Sequence, residues 1–255
     1  MRENTLKRKL ERGETVIGPF MITKDARFVE VAGLAGFDFV IIDCEHGPLS
    51  METAENCCRA AHSVGLSSIV RVRKNDAPQI QRALDIGSDG VQVPQIENRA
   101  DAEATVRGAK YQPHGMRGLS FYTRAGEYTV NGVQGLTDQL NDEQIVIIHV
   151  EGKTGLDNLD EIIQVPHIDV IFLGPYDLSQ SFGVPGQVND PRVVQGMEDA
   201  VRRIRAAGKY AGTFAADIET ARKWAAAGVQ YVSVNVDVGI FGNACLDMVQ
   251  RLKAD

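Results

Sequence analysis

The stretch IIDCEHGP, residues 41–48, delivers Asp43, Glu45 and His46 within four positions at the end of an apolar run. All three residue types can bind metal or move protons, and His46, whose ordinary pKa lies near neutrality, suits a general acid or base. Similar endings recur. Arg71 and Arg73 close SSIVRVR, His149 and Glu151 close IVIIHVE, Asp177 follows FLGPY, and Asp237 follows VSVNV. Polar groups thus gather at one end of otherwise oily segments.

Glu151 and Asp177 follow consecutive segments, so their carboxylates can converge on one point. Two carboxylates with positions left for water and substrate suit a hard divalent cation such as Mg²⁺ or Mn²⁺, rather than zinc in a closed thiolate site. The alternative is that each caps a helix or pairs with an arginine. Gly174 and Pro175 turn the chain sharply, leaving the backbone N–H groups of Tyr176 and Asp177 free to hold an anion such as a carboxylate. The plainer account is a turn with Asp177 as the helix N-cap.

The planar guanidinium of Arg71 suits a carboxylate or a developing enolate oxygen, or else a structural ion pair. Of Arg71 and Arg73, only one is expected to enter the site. Glu45 and His46 are expected on opposite sides, so IIDCEHGP need not form one site. His149 falls on the same side of its strand as Glu151 and either lines the same pocket or hydrogen-bonds inside the fold. A Schiff-base mechanism needs a lysine in the pocket, yet DVIFLG has none, Lys209 opens its strand at the wrong end, and Lys153 lies in a turn. Metal-assisted enolisation is what these residues leave.

The elements that must carry these residues alternate. Strands are expected at 15–21, 38–44, 67–72, 90–94, 145–151, 169–174, 209–214 and 230–236, with amphipathic helical segments between them, several stopped by glycine. Nearly continuous apolar strands signal a parallel sheet covered on both faces. Eight strand–helix units predict a (β/α)₈ TIM barrel with working residues at the C-terminal ends of the strands. A doubly wound sheet would carry G-x-G-x-x-G after its first strand, and GPFMITKDARF lacks it. The irregular stretch 111–132 is expected to be a lid or an intersubunit arm.

The length of 255 residues fits one barrel domain spanning 1–255. No apolar run approaches the roughly 20 residues that span a bilayer, and the charged start MRENTLKRKLERGE does not read as a secretory leader. A net charge of −7 argues against nucleic-acid or membrane surfaces and for small-molecule partners. Cys44, Cys57, Cys58 and Cys245 form no zinc spacing, which points to the reducing cytoplasm, with Cys44 a buried small hydrophobe rather than a nucleophile.

The chain resembles the HpcH/HpaI aldolase/citrate lyase family, specifically its metal-dependent pyruvate aldolases. The ordered matches are DFVIIDCEHGP, RVRKNDAPQIQRALDIGSDGVQVPQIEN, YQPHGMRG, HVEGKTGLDNLDEI, FLGPYDLSQSFG and VNVDVGIF, nearly end to end. The resemblance implies His46 as catalytic acid/base, Arg71 as the enolate-stabilising arginine, and Asp85 as the acid that orients the histidine from a neighbouring subunit. It implies Glu151 and Asp177 as ligands of a divalent cation (Mg²⁺, Mn²⁺ or Co²⁺). The backbone of Tyr176 and Asp177 takes the pyruvate carboxylate in a pocket that includes Gly174, Pro175, His149 and Phe214, with Asp43 in support.

The implied reaction cleaves a 4-hydroxy-2-oxo acid reversibly to pyruvate and an aldehyde. The implied assembly is a homohexamer, a trimer of dimers, with a short N-terminal helix and a C-terminal helix swapped between subunits. Departures from the family pattern are His149 where glutamine is usual, Phe214 where leucine is common, VNVD, and GLSFYTRAGEY; they bear on substrate identity. The alternatives are a citrate lyase β-like CoA-thioester lyase and a non-catalytic oxo-acid-binding barrel.

Overall fold

Each of the eight apolar runs becomes a strand: β1 (Val16–Met21), β2 (Phe39–Asp43), β3 (Ser67–Arg71), β4 (Gly90–Val93), β5 (Ile145–Val150), β6 (Val170–Leu173), β7 (Tyr210–Ala215) and β8 (Tyr231–Val236). The computed structural model describes residues 3–254 and closes these strands, all parallel, into one barrel in which β8 pairs with β1. The chain therefore forms the expected (β/α)₈ barrel.

The strands read as continuous apolar runs because alternate residues serve two different cores. Phe39, Ile41, Ile69, Ile145, Ile147, Val170, Phe172 and Tyr231 pack with one another inside the barrel. Val40, Ile42, Val70, Val91, Val146, Ile148 and Ile171 belong to the shell beneath the helices. Continued toward the C-terminal rim, the register sets Asp43 beside Arg71, Arg71 beside Gln92, and His149 beside Phe172. The period that fills the interior with hydrocarbon thus also brings a polar set to one end.

The other end is plugged. In the helix Thr5–Glu11, Leu6 and Leu10 lie four apart and therefore on one face, and both are fully buried in the barrel's interior cluster. Asn4 caps this helix and donates its amide to the carbonyls of Asp89 and Glu143. The outer helices start on Asp25, Ser50, Asn98, Asp190 and Asp217, whose side chains accept first-turn N–H groups.

Two expectations about connections change. The helical segment expected between β5 and β6 is two short helices, Lys153–Asp157 and Leu159–Ile162, parted at Asn158, whose amide turns to the carbonyl of Glu97. The stretch 111–132 is not a lid, because it follows the helix Arg99–Ala109 and leads toward β5, which places it at the strand-start end of the barrel. There Arg117 donates to Asp85 and Gln144, both at 2.6 Å, and Arg124 reaches the carbonyls of Ile86 and Gly87. A helix the sequence did not signal, Leu136–Glu143, follows it, starting on Gly135 without a side-chain cap.

Lys110 is buried beside that helix, its ammonium donating to the carbonyls of Asn141 (2.6 Å) and Gln144 (2.7 Å). Burial pushes its pKa down to about 8. The unfolded chain, with lysine near its ordinary ~10.4, then binds more protons than the native state between those values, so native stability rises with pH across that window and falls as pH drops through about 8. The unfolding free energy of wild type minus that of Lys110→Met, from urea titrations at several pH values, is expected to rise over this range. A pH-independent difference contradicts the assignment.

Candidate active site at the C-terminal rim

Arg71 is the best-anchored charge at the rim. Its Nε and Nη2 donate to the two oxygens of Asp43 at 2.9 and 2.6 Å, its Nη1 lies 2.9 Å from a Glu45 carboxylate oxygen, and its guanidinium sits 4.6 Å over the Phe20 ring. Asp43 also accepts the backbone N–H groups of Glu45 (3.0 Å) and His46 (3.3 Å), so one carboxylate fixes both the arginine and the turn carrying the histidine. A guanidinium has five N–H donors. With three engaged, one on each terminal nitrogen remains for a small anion.

A strand period of two would send Arg73 to the same side as Arg71. It does not enter because β3 ends at Arg71, and Arg73 turns out to donate to the carbonyl of Cys44. The strand period likewise fails beyond Asp43. Glu45 stays on the side of Asp43, against Arg71, but His46, expected on the opposite side, lines the same cavity with its Nε2 3.9 Å from Glu45. Burial pushes the Glu45 carboxyl up, with Arg71 opposing. The His46 side chain is 71% exposed and lines the cavity from above.

Across the rim, Glu151 follows β5 and Asp177 lies in the first turn of the helix Pro175–Ser181. Gly174 lies between them, and a Cβ there would come within 2.9 Å of the Glu151 Cβ, 3.0 Å of its Oε2 and 3.6 Å of Asp177 Oδ2. The missing side chain keeps the space between the carboxylates open. Burial opposes ionisation of Glu151, but His149, the Gln95 N–H and Arg71 outweigh it and hold its pKa low. Burial, then repulsion from Glu151, holds Asp177 high. The space at Gly174 is flanked by both carboxylates, and a cation there would favour both ionised forms.

Among the described residues, no three His, Cys, Asp or Glu side chains form a metal cage. The pair could supply part of the oxygen shell of a hard cation, with water or substrate oxygens completing it. That donor chemistry and the gap left by Gly174 fit a divalent metal. The helix N-cap is Gly174, not Asp177, with Pro175 at the first helical positions and no side-chain cap. The first-turn N–H groups of Tyr176 and Asp177 therefore have no intrahelical acceptor.

These groups share a cavity of about 340 Å³ with Phe20, Phe172, Phe214 and Val236. Phe214 lies 6.0 Å from Phe20 and 5.8 Å from Tyr176, ring centre to ring centre, making an aromatic wall of the cavity. His149 is in the same lining, stacked on Phe172, with both ring nitrogens engaged by protein groups, Gln92 and Glu151.

Three residues lie apart from this set. Asp85 ends the helix Ala77–Asp85 and pairs with Arg117, so within one chain it sits near the opposite end of the barrel from His46. Asp237 is buried, holding the N–H groups of Ile22 and Thr23. The Cys44 thiol is pushed up to about 11 by burial, which leaves it un-ionised and inert near neutrality. Gln92, Gln95 and Tyr231, which touch the site from behind, escaped the sequence reading; the signal available was a lone amide in the oily strand GVQVP.

The family model for HpcH/HpaI aldolase/citrate lyase matches residues 17–244. The 2-keto-3-deoxy-L-rhamnonate aldolase of Escherichia coli K12 is 34% identical over 242 residues, covering 94% of this chain and 90% of that protein. Among solved structures, an HpcH/HpaI aldolase/citrate lyase family protein from Burkholderia cenocepacia J2315 superposes with a TM-score of 0.93 at 29% identity, covering 98% of this chain and 99% of that one. The citrate synthase SbnG superposes with a TM-score of 0.87 at 31% identity over the same shares of the two chains.

Proposed function

This chain belongs to the HpcH/HpaI aldolase/citrate lyase family and is a class II aldolase, and we propose that it reversibly cleaves a 4-hydroxy-2-oxo acid to pyruvate and an aldehyde. The observation that carries this reading is the carboxylate pair Glu151 and Asp177, held apart by side-chain-free Gly174 in one cavity with Arg71 and His46.

Cleavage removes the proton of the 4-hydroxyl, breaks the C3–C4 bond, releases the aldehyde, and leaves the electron pair on the pyruvate fragment as an enolate until a proton returns to C3. His46 accepts the hydroxyl proton, and its exposed ring can exchange it with water. Arg71 directs its two remaining N–H donors at the oxygen where negative charge develops, and needs no reorganisation because Asp43 and Glu45 already hold it. The N–H groups of Tyr176 and Asp177 take the substrate carboxylate, and the Phe214 wall receives the aldehyde end. A divalent cation held by Glu151 and Asp177 supplies Lewis-acid polarisation of the 2-oxo group when bound; Mg²⁺, Mn²⁺ and Co²⁺ all suit that donor set.

Within the chain Asp43 fixes the backbone of the His46 turn, and the His46 ring lies only at a distance, 3.9 Å, from the Glu45 carboxylate. Asp85 would orient that ring from a second copy, in a homohexamer assembled as a trimer of dimers. Support for assembly comes from the C-terminal helix Asp237–Leu252, where Phe241, Leu246, Met248 and Leu252 are exposed, an apolar face that exchange between copies would cover. We read residues 1–255 as one domain, since β1 and β8 from its two ends close the barrel. Among the described residues no helix is long and apolar enough to cross a membrane. Four free cysteines favour the cytoplasm.

The CoA-thioester alternative needs positive charge for a phosphorylated carrier, and among the lining residues the only lysine or arginine is Arg71, already flanked by two carboxylates. A barrel that only bound oxo acids would not enolise them. In D₂O with Mn²⁺, wild-type protein is expected to exchange the methyl protons of pyruvate, and His46→Ala to lose about 10²- to 10⁴-fold in kcat with unchanged Mn²⁺ affinity. No exchange by wild type would sink the catalytic reading, and loss of Mn²⁺ in the variant would remove His46 from the proton-transfer role. Co-assembled His46→Ala and Asp85→Asn chains should regain activity that neither has alone; mixtures as inactive as their components would remove Asp85 from the site.

A further inference from the structure

We infer that His149 is a positioning residue for Glu151, and that the hydrogen it points at Glu151 is dictated from inside the barrel by Tyr231 acting through Gln92. The inference rests on the reading of Glu151 as a cation ligand. All three supporting side chains are fully buried in the barrel interior, so each polar atom there must find its partner within the protein.

The direction of each bond follows from the last. The Tyr231 hydroxyl lies 3.3 Å from Gln92 Oε1 and donates to it. Burial strongly disfavours the phenolate, so the donor persists. With Oε1 engaged, Gln92 presents its amide nitrogen to His149 Nε2. An amide nitrogen can only donate, so Nε2 must be bare, and a neutral imidazole then carries its hydrogen on Nδ1. That atom is 2.9 Å from Glu151 Oε2 and donates to it. Stacking on Phe172, with ring centres 4.5 Å apart and planes 17° from parallel, prevents the ring from swivelling away.

The second oxygen of Glu151 is held too, accepting the Gln95 N–H at 2.9 Å. Gln95 has φ +60°, a left-handed conformation uncommon outside glycine, and such strain is kept where surrounding structure needs it. Each oxygen thus receives one hydrogen bond and keeps lone-pair capacity toward the gap at Gly174. Both oxygens are oriented by protein donors before any cation arrives. His149, its only N–H committed to Glu151, has none left to offer an oxo acid, so here it acts on the metal ligand and not directly on the substrate.

The test is Mn²⁺ titration of metal-free protein by calorimetry, with thermal melting as a check on folding. Glu151→Gln should abolish binding. His149→Ala should weaken it about 10- to 100-fold, the usual effect of removing a group that orients a ligand. His149→Gln, which can still donate to Glu151, should restore most of the affinity. Tyr231→Phe removes one oxygen while its ring keeps its 4.1 Å stack on Phe39, and should weaken Mn²⁺ several-fold because Gln92 is then free to turn over. In the metal-free wild type, ¹⁵N NMR should find the His149 hydrogen on Nδ1 and Nε2 bare.

A proton on Nε2 overturns the inference. So does unchanged Mn²⁺ affinity in both His149→Ala and Tyr231→Phe while Glu151→Gln abolishes binding. Full Mn²⁺ binding by Glu151→Gln instead overturns the metal assignment on which the inference depends. Should His149→Ala fail to fold, the Tyr231→Phe titration and the NMR result decide alone.

Discussion

Asp177→Asn is expected to lower kcat/KM for retro-aldol cleavage by about 10³-fold or more, and EDTA to abolish wild-type activity until Mg²⁺ or Mn²⁺ is returned. The substitution is nearly isosteric, so the aromatic wall and the turn at Gly174 and Pro175 should survive it. What it removes is one of the two negative charges facing the gap. A Lewis-acidic metal contributes several kcal/mol of transition-state stabilisation, and each ~1.4 kcal/mol is tenfold in rate. Loss of most of that contribution predicts the stated effect.

The neutral variant also ends the burial cost and the repulsion from Glu151 that hold Asp177 high, so its melting temperature without metal should be equal to or above that of wild type. A drop in activity with a retained or raised melting point would separate a lost ligand from a damaged fold. Activity indifferent to EDTA, or kcat/KM within tenfold of wild type in Asp177→Asn, would contradict the proposed metal site.

The oily strands were legible because a barrel strand is buried on both faces, and every strand begins and ends within a residue of its expected position. Glu151 and Asp177 were legible for the same reason, since a carboxylate at the end of such a run has few places to go except the rim. Reasoning by alternation failed wherever a strand had already stopped. His46 lies beyond the end of β2 and lines the cavity beside Glu45 instead of opposing it, and Arg73 lies beyond β3 and turns away where alternation would bring it beside Arg71.

The inner support was hidden for a different reason. Tyr231 and Gln92 occupy ordinary inward positions, and their meeting across the barrel, 139 residues apart in sequence, depends on closure of the sheet. In sequence, the stretch 111–132 reads as either a lid or an intersubunit arm because only its length is visible; its place between a helix and the start of a strand, at the far end of the barrel from the rim, removes the first.

Arg71→Lys is the sharpest test of the other half of the site. Lysine keeps the positive charge but replaces a planar fork by a single ammonium, which cannot meet both oxygens of Asp43, reach Glu45 and still present two donors to substrate. The expected result is a fall in kcat of about 10²- to 10³-fold, the range for losing a preorganised oxyanion donor, with a smaller change in KM. Stability should also fall, by about 1–3 kcal/mol in urea titrations, because buried Asp43 loses part of its charge-assisted hydrogen bonding.

Asp43→Asn separates these roles. Its remaining carbonyl oxygen can still accept the N–H groups of Glu45 and His46, so the histidine turn stays fastened, and Arg71 keeps Glu45 and the Phe20 face. Asp43→Asn should therefore retain more kcat than Arg71→Lys. If the order is reversed, the negative charge of Asp43 matters more to the reaction than the fork of Arg71, which contradicts the enolate-stabilising role given to Arg71.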